Sequence, residues 1–360
     1  MQLQVHQGPD VQPESLGDFP HRLHKAAELI VHHSAAWAEK SCQLFLMVNP
    51  AAGKIHSKRE RESFLTEFEQ IASTYSGPVE PTMFQRDRVH VLASHEPGEL
   101  IQQAHDSKIQ DAMGIFISFG GDGTHQEVLN GLSDRTKEIC FARYPMGTGN
   151  DGIDIHTPTE LAQLISSAPT LPTQPLVAVK VTTAKGEGRL SGNITGIGID
   201  AYIGYLSQKY KRILPGKAYK IAADLGVLFY KRTYNIRKAS IQIINNDQIQ
   251  QIELTAGVMC FGASGKRTYG GGLPILPGEE NICLIPMGSL MDNIKLKKMI
   301  FEGSHIHDPK VQIHRGTKMI IDYPGTIPMQ MDGEIAWLDP EDFPLTLEVV
   351  SVEAKLLKLV

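Results

Sequence analysis

The sequence predicts an α/β domain built on a parallel sheet, followed by a mainly β domain. Between residues 41 and 172, short apolar runs alternate with amphipathic helical stretches, the pattern of strands covered on both faces by helices. From residue 173 onward, runs rich in Val, Ile, Leu and Thr are separated by Gly, Asn, Asp and Pro, which reads as one sheet packed on another. A third observation places function on the first domain: three of its strands end in turns of glycine and other small residues. In an open α/β sheet such turns share the edge formed by the strand carboxyl ends, where ligands sit.

A chain of 360 residues is long enough for two cores. The expected division is an N-terminal extension with one amphipathic helix over 1–40, the α/β domain over 41–172, the β domain over 173–345 and a closing segment over 346–360. With 35 basic and 40 acidic residues the net charge is −5, so no general basic field points to nucleic acid. Cys42, Cys140, Cys260 and Cys283 lie far apart with no C-x-x-C spacing and read as reduced thiols rather than disulfides or a zinc site. There is no run of 18 apolar residues and no cationic start followed by an apolar core and a cleavage site. The expectation is a cytoplasmic protein with at most peripheral membrane association, and a homodimer is left open.

Residues 1–20 are polar and carry Pro9, Pro13 and Pro20, as a loose tail would. Leu23, Ala27, Ile30, Ser34 and Trp37 share one helical face, so a helix is expected over 21–40. Its His21, His24, His32 and His33 lack companion acids or cysteines and read as solvated side chains. A strand over 44–48 leads into Asn49-Pro50-Ala51-Ala52-Gly53-Lys54. That small-residue turn with its basic side chain suits a phosphate but lacks the G-K-[ST] ending of a P-loop. A helix over 57–75 with Phe64, Phe68 and Ile71 inward, a strand over 89–92 and a helix over 97–107 with Leu100, Ile101 and Ala104 inward complete this half.

The next strand, 115–119, is apolar apart from Ser118, as expected of a strand covered on both faces. Gly120, Gly121 and Gly123 follow, removing the side chains that would keep a phosphate from backbone N–H groups. Thr124 and Glu127 have the spacing of a capping box, so a helix is expected to start directly after the turn. A helix N-terminus favours an anion. Asp122, the one acid in the turn, would be repelled by a phosphate unless Mg²⁺ or a proton in transit lies between them. One reading is phosphoryl transfer; the other is a tight turn in which the glycines and Asp122 serve geometry alone. A strand over 139–144 then enters Pro145-Met146-Gly147-Thr148-Gly149-Asn150-Asp151-Gly152, again glycines around one carboxylate. Asp122 and Asp151 are hard oxygen donors, which suits Mg²⁺ better than zinc.

NPAAGK, GGDGT with the following HQEVLNGL, and PMGTGND occur in the order and spacing of the diacylglycerol kinase catalytic domain family, which this chain resembles. That family includes bacterial lipid kinases and, more distantly, sphingosine and ceramide kinases, and it shares its nucleotide-binding architecture with NAD kinases. The likeness runs on through Gly192-Asn193-Ile194-Thr195-Gly196-Ile197-Gly198-Ile199-Asp200-Ala201, through Gly270-Gly271-Gly272 with Pro277, and through Met331-Asp332-Gly333-Glu334, covering about 43–345. It implies an NAD kinase-like nucleotide-binding domain, a mainly β second domain, and transfer of the γ-phosphoryl of ATP to a lipid hydroxyl with Mg²⁺. Backbone N–H groups of Gly120, Gly121, Gly123, Gly147 and Gly149 are then expected around the phosphates, with Asn49, Lys54, Thr124, Thr148 and Asn150 alongside. Asp122 is expected to organise Mg²⁺, supported by Asp151. By the resemblance, Glu334 is the base that takes the substrate hydroxyl proton; on the residues alone, Asp332-Gly333 reads as a hairpin turn.

Two departures stand out. Gln126 occupies a position where the family usually has Asn, and the loop over 277–282 is short and lacks the Asp-Gly pair that helps hold a structural metal in the bacterial enzymes. His305, His307 and Asp308 could form a substitute, although they also read as polar loop residues. Between the β runs, residues 205–238 carry nine basic side chains (Lys209, Lys211, Arg212, Lys217, Lys220, Lys231, Arg232, Arg237 and Lys238) against the single acid Asp224, interleaved with Tyr205, Leu206, Leu214, Val227, Leu228 and Phe229. This reads either as a solvated helix or as a face that meets an anionic membrane. The function classes are therefore a lipid kinase, an NAD kinase-type enzyme with a soluble substrate, and a non-catalytic relative.

Overall fold

The computed structural model describes residues 5–6, 16–76, 88–110, 112–133, 138–147, 153–210, 218–269 and 273–359. One compact unit takes in Val11–Leu176 and Ser351–Val360, the other Met1–Asp10 and Val177–Val350. The two-residue strand Val5–His6 (β1) belongs to the second unit, where it pairs antiparallel with Ala336 and Ile335.

The α/β unit opens with Phe19–His32 (α1) and Ala35–Glu39 (α2), so the single helix expected over 21–40 is two. Ser34 takes an extended conformation between them. Leu23, Ala27 and Ile30 are buried as their spacing predicts, and beyond the break Trp37 is buried with its indole N–H donating to Ile165 O at 2.7 Å. The chain continues through Cys42–Val48 (β2), Gly53–His56 (α3), Lys58–Ala72 (α4), Val89–Ala93 (β3), Glu99–Asp106 (α5), Met113–Gly120 (β4), Asp122–Leu132 (α6), Glu138–Pro145 (β5) and Pro158–Ser167 (α7).

The strands pair in parallel in the order β3-β2-β4-β5, with Leu44 beside both Val89 and Ile115, and Ile115 beside Cys140. Alternate side chains serve opposite faces. Leu44, Leu46, Val48, Ile115, Ile117 and Phe119 join Phe64 and Phe68 of α4 in one core cluster. On the other face Phe45 stacks on Phe116, with ring centroids 4.6 Å apart. Chain order reverses between β2 and β4, because β3 lies on one side of β2 while β4 and β5 lie on the other. In open α/β sheets the crevice outside such a switch point is where ligands bind.

The β-rich unit is built from Thr173–Thr182 (β6), Gly188–Ser191 (β7), Ile194–Gly198 (β8), Ile199–Tyr210 (α8), Ala218–Thr233 (α9), Lys238–Asn245 (β9), Gln248–Gly262 (β10), Arg267–Tyr269 (β11), Leu273–Leu276 (β12), Ile282–Pro286 (β13), Leu290–Glu302 (α10), Gln312–His314 (β14), Lys318–Asp322 (β15), Ile327–Met331 (β16), Glu334–Leu338 (β17) and Leu345–Leu357 (β18), the last of which ends in the α/β unit. β10 serves two sheets. Its first half pairs with β9, and its second half with β8 and β13. The register shifts between Ala256 and Val258. Gly257 lies at the shift, where a Cβ would come within 2.5 Å of Ile285 O. A bulge of this kind lets one strand turn the corner between packed sheets.

Ile241, Met259, Phe261, Met319, Met329 and Leu345 lie in the apolar cluster between the sheets. The expected sandwich is present, with an addition that the strand runs did not announce. A second cluster joins Tyr202, Leu206, Val227, Tyr230 and Leu296 of α8, α9 and α10 to Val258, Cys260 and Ile285 on the strands. The basic stretch over 205–238, read as a helix, thus takes in the end of α8 and all of α9 but runs on to Arg237 and to Lys238 at the start of β9. Lys211, Arg212, Leu214 and Lys217 lie outside the described residues. Among the described residues no helix is long and apolar enough to cross a membrane.

Candidate functional site

The three turns of the α/β unit are tied to one another by their backbones. Asn49 N–H donates to Phe119 O at 3.2 Å, Lys54 N–H to Met146 O at 2.8 Å, and both Met146 and Gly147 N–H to Gly120 O at 2.8 and 2.9 Å. The side chains continue the lacing. Asn49 Oδ1 accepts from Ala51 N–H at 2.9 Å, and its amide donates to Thr124 Oγ1 at 2.9 Å. Space is tight enough to require glycine. A Cβ on Gly147 would stand 2.3 Å from Gly121 Cα, and one on Gly120 would stand 2.3 Å from Thr124 Cβ.

Asn49, Lys54, Gly120, Gly121, Asp122, Gly123, Thr124 and Gly147 therefore gather at the carboxyl ends of β2, β4 and β5. Thr148, Gly149, Asn150 and Asp151 lie outside the described residues. The expected capping box is not formed. α6 begins at Asp122 with extended Gly121 as its N-cap, so Thr124 already lies in the first turn. Its hydroxyl is engaged by Asn49, and Glu127 accepts instead from Gly98 N–H at 3.1 Å, at the start of α5. Asp122 thus occupies the first helical position, at the positive end of the helix.

Behind the turn, His125 is fully enclosed and its Nδ1 lies 2.6 Å from Ser118 Oγ. Burial, and then the charge of Arg143, hold its pKa well below the usual histidine range, so it stays neutral. Arg143 grips Asp154 through Nε at 2.8 Å and through a terminal nitrogen at 3.0 Å, fixing the chain that returns from the third turn.

A carboxylate beside the N–H donors of a helix N-terminus is the arrangement with which nucleotide sites commonly hold Mg²⁺, the remaining ligands being phosphate oxygens and water. Asp122 fits that role. Among the described residues no group of three or more His, Cys, Asp and Glu stands together as a self-sufficient metal site. The substitute set around His305 is otherwise engaged: His305 Nε2 lies 3.0 Å from Ile275 O, and Asp308 accepts from Lys295 Nζ at 2.8 Å. The shortened loop over 277–282 is closed by Lys266, whose N–H donates to Gly278 O at 2.7 Å and whose ammonium pairs with Glu279.

In the β-rich unit Glu334 opens β17, directly after a two-residue turn. Asp332 and Gly333 take φ values of 50° and 89° between paired Met331 and Glu334, the left-handed pair of a type I′ hairpin. The hairpin reading of the residues is therefore correct, and it leaves a role for Glu334 open. Arg189 Nη1 lies 3.4 Å from Glu334 Oε2. Asp332 does more than turn the chain. Its carboxylate accepts from Ser191 Oγ at 2.8 Å and from the N–H groups of Gly192, Asn193 and Ile194 at 2.6, 3.0 and 2.9 Å, clamping the hairpin to the start of β8. The spacing of 138 to 141 residues hides this clamp from a reading of local patterns.

An apolar cavity lies in the same unit, walled by Ile203, Val227, Val258, Ile285, Leu296 and Ile300. The acid at its wall is Asp200, from the Gly198-Ile199-Asp200-Ala201 segment. Its Oδ2 fills the place of a Cβ on Gly196, only 1.8 Å away, and Cys260 Sγ stands 3.8 Å off. Burial pushes the Asp200 carboxyl up to about 7, against the pull of the backbone N–H groups of Ala201 and of Asp200 itself.

Residues 43–171 match the family model described as the diacylglycerol kinase catalytic domain. The diacylglycerol kinase of Bacillus subtilis strain 168 is 23% identical over 306 residues, covering 83% of this chain and 91% of that one. The diacylglycerol kinase of Staphylococcus carnosus strain TM300 is 23% identical over 309 residues, covering 83% and 90%. The crystal structure of a diacylglycerol kinase from Bacillus anthracis strain Sterne matches 88% of this chain and 97% of its own with a TM-score of 0.54 at 19% identity. A second structure from the same organism covers 89% and 98% with a TM-score of 0.60 at 19% identity. The solved structures share the fold of both units, and residues 43–171 carry the similarity to the diacylglycerol kinase catalytic domain family.

Proposed function

We propose that this protein transfers the γ-phosphoryl group of ATP to the hydroxyl of a diacylglycerol-like lipid, with Mg²⁺. The observation that carries the proposal is the lacing of three small-residue turns at the strand switch point, with Asp122 at the first position of α6. The first N–H groups of a helix have no intrahelical acceptor. Gly121 and Gly123 carry no side chain to keep phosphate oxygens from them, while glycine at 120 and 147 lets the turns meet. Lys54 is exposed beside the turn and supplies a mobile positive charge for a polyphosphate. When bound, Mg²⁺ would neutralise charge on the phosphates, held through Asp122 with Asp151 as the second acid.

In the transfer, the bond from phosphorus to the ATP leaving oxygen breaks as one to the lipid oxygen forms, and the hydroxyl proton passes to a carboxylate. Glu334, held by Arg189, is our choice for that base. The apolar cavity supports a lipid over a soluble acceptor, because a water-soluble nucleotide such as NAD would bury polar groups there without partners. The names of the Bacillus and Staphylococcus relatives agree with a lipid acceptor.

The test is transfer of label from γ-labelled ATP into a panel of diacylglycerol, phosphatidylglycerol, sphingoid base, ceramide and NAD, with Asp122→Ala alongside. Label in a lipid, lost in the variant, is the expected result. Label in NAD alone would replace the lipid reading. Nucleotide binding without transfer to any acceptor would point to a non-catalytic relative.

A further inference from the structure

α10 is arranged against the usual logic of a surface helix. Leu296 is its one fully buried side chain, whereas Leu290, Met291, Ile294 and Phe301 stand exposed, Met291 to 73%. At 3.6 residues per turn, Leu290, Ile294, Lys298 and Phe301 share an arc of about 80°, with Met291 just beside it. α9 adds exposed Leu228 and Phe229. Six of the seven large exposed apolar side chains among the described residues thus lie on these two helices. They are joined by an ion pair of Lys297 with Asp224.

Two further observations say what covers this face. First, it is basic at its edges: Lys231 and Arg232 are exposed in the last turn of α9, while on α10 the exposed Lys295 and Lys298 pair with Asp308 and Glu302. This stands against a chain of net charge −5. Apolar side chains flanked by Lys and Arg match the interface of an anionic bilayer, where the apolar groups enter the acyl boundary and the cations meet headgroups. Second, the face is continuous with the cavity. Val227, Leu296, Lys297, Ile300 and Phe301 line that cavity, and Phe301 is also among the exposed residues. A protein partner would gain nothing from an apolar cavity beneath its docking site, whereas a lipid surface supplies chains that fit it.

We propose that the α9–α10 face docks on an anionic lipid bilayer and that a lipid chain passes from the bilayer into the cavity past Phe301. Docking extends the lipid-kinase reading, but its first test needs no catalysis. Met291 and Ile294 lie outside the cavity lining, so Met291→Asp with Ile294→Asp removes the apolar contact and leaves the cavity intact. Co-sedimentation is measured with phosphatidylcholine vesicles, with and without phosphatidylglycerol. The wild type binds the anionic vesicles more tightly, and the double variant loses roughly tenfold or more in affinity. Lys231→Glu with Arg232→Glu loses the preference for anionic vesicles and its salt dependence.

Phosphorylation of a short-chain diacylglycerol dispersed as monomers stays at the wild-type level in both variants. Loss of transfer from the wild type as well would overturn the kinase reading and leave docking standing. Wild-type vesicle binding by both variants would overturn docking. So would a dimer that the apolar variant converts to monomer with vesicle binding unchanged, since the face would then join two copies of the chain.

Discussion

In the α/β unit, the residues at the strand ends are held by main-chain bonds such as Met146 and Gly147 N–H to Gly120 O, and glycine is demanded wherever two turns touch. In the β-rich unit, the cavity is shaped by Ile203, Val227, Leu296 and Ile300, side chains that many apolar residues could replace. The first kind of site tolerates almost no substitution and therefore leaves motifs. The second tolerates many and leaves none. On the proposed function, chemistry and substrate choice rest on differently constrained parts, and mutations in the two units are expected to fail differently.

The largest expected effect is at Asp122. Asp122→Ala should lower phosphoryl transfer about 10³-fold while leaving thermal unfolding unchanged, as befits a group that acts on developing charge. Measured turnover and melting of the same sample separate the two outcomes, and a parallel fall in stability would make Asp122 a structural residue of the turn.

Asp200 sharpens the comparison through pH. Unfolded, a carboxyl of this type ionises near 3.8; folded, Asp200 ionises near 7 because it is buried. Between those values the folded state holds the extra proton, so stability falls as pH climbs through the window and levels off above it. Asp200→Asn should remove that slope. Relative to wild type, denaturant melts should show a gain that grows by about 4 kcal/mol from pH 4 to pH 8. A gain independent of pH would show that Asp200 is not the group responsible.

The clamp at Asp332 should come next. Asp332→Ala leaves four donors without their acceptor and should cost roughly 3 kcal/mol. Asp332→Asn should cost less, because one amide oxygen still accepts. Equal costs for the two variants, read from equilibrium unfolding, would mean that shape rather than hydrogen bonding holds the hairpin.

Of the three stability changes, the smallest is expected at Gly147. Gly147→Ala places a methyl 2.3 Å from Gly121 Cα and should cost about 2 kcal/mol as the turns part. ATP affinity measured by calorimetry should fall further than stability alone accounts for. A variant that binds ATP as the wild type does would place the nucleotide away from these turns.

The same contrast explains how much was legible. The strands over 44–48, 89–92, 115–119 and 139–144 appear within one or two residues at each end, because doubly covered strands are written as unbroken apolar runs. The gathering of Asn49, Gly120, Thr124 and Gly147 was legible because glycine and small polar residues have few other uses at strand ends. The start of α6 was misplaced because Thr124 and Glu127 carry capping-box spacing but find other partners, Asn49 and Gly98. Partners supplied by distant elements are invisible to a local pattern. α10 escaped notice for a related reason. Its apolar residues do recur at helical spacing, yet that spacing says nothing about which face turns outward. The break at Ser34 was missed because the helical face reads continuously from Leu23 to Trp37, and only the distant Ile165 carbonyl shows where Trp37 is held.

The most direct test compares both units in one assay: label from γ-labelled ATP into long-chain diacylglycerol in detergent micelles, by wild type, Asp122→Ala and the cavity-filling Leu296→Trp, with ATP binding measured in parallel. The expected result is label from the wild type and about 10³-fold less from Asp122→Ala. Leu296→Trp should bind ATP normally and lose long-chain acceptor while retaining a short-chain one. Long-chain label at the wild-type level from Leu296→Trp, or transfer at the wild-type level from Asp122→Ala, would contradict a division of phosphoryl chemistry and lipid recognition between the laced turns and the apolar cavity.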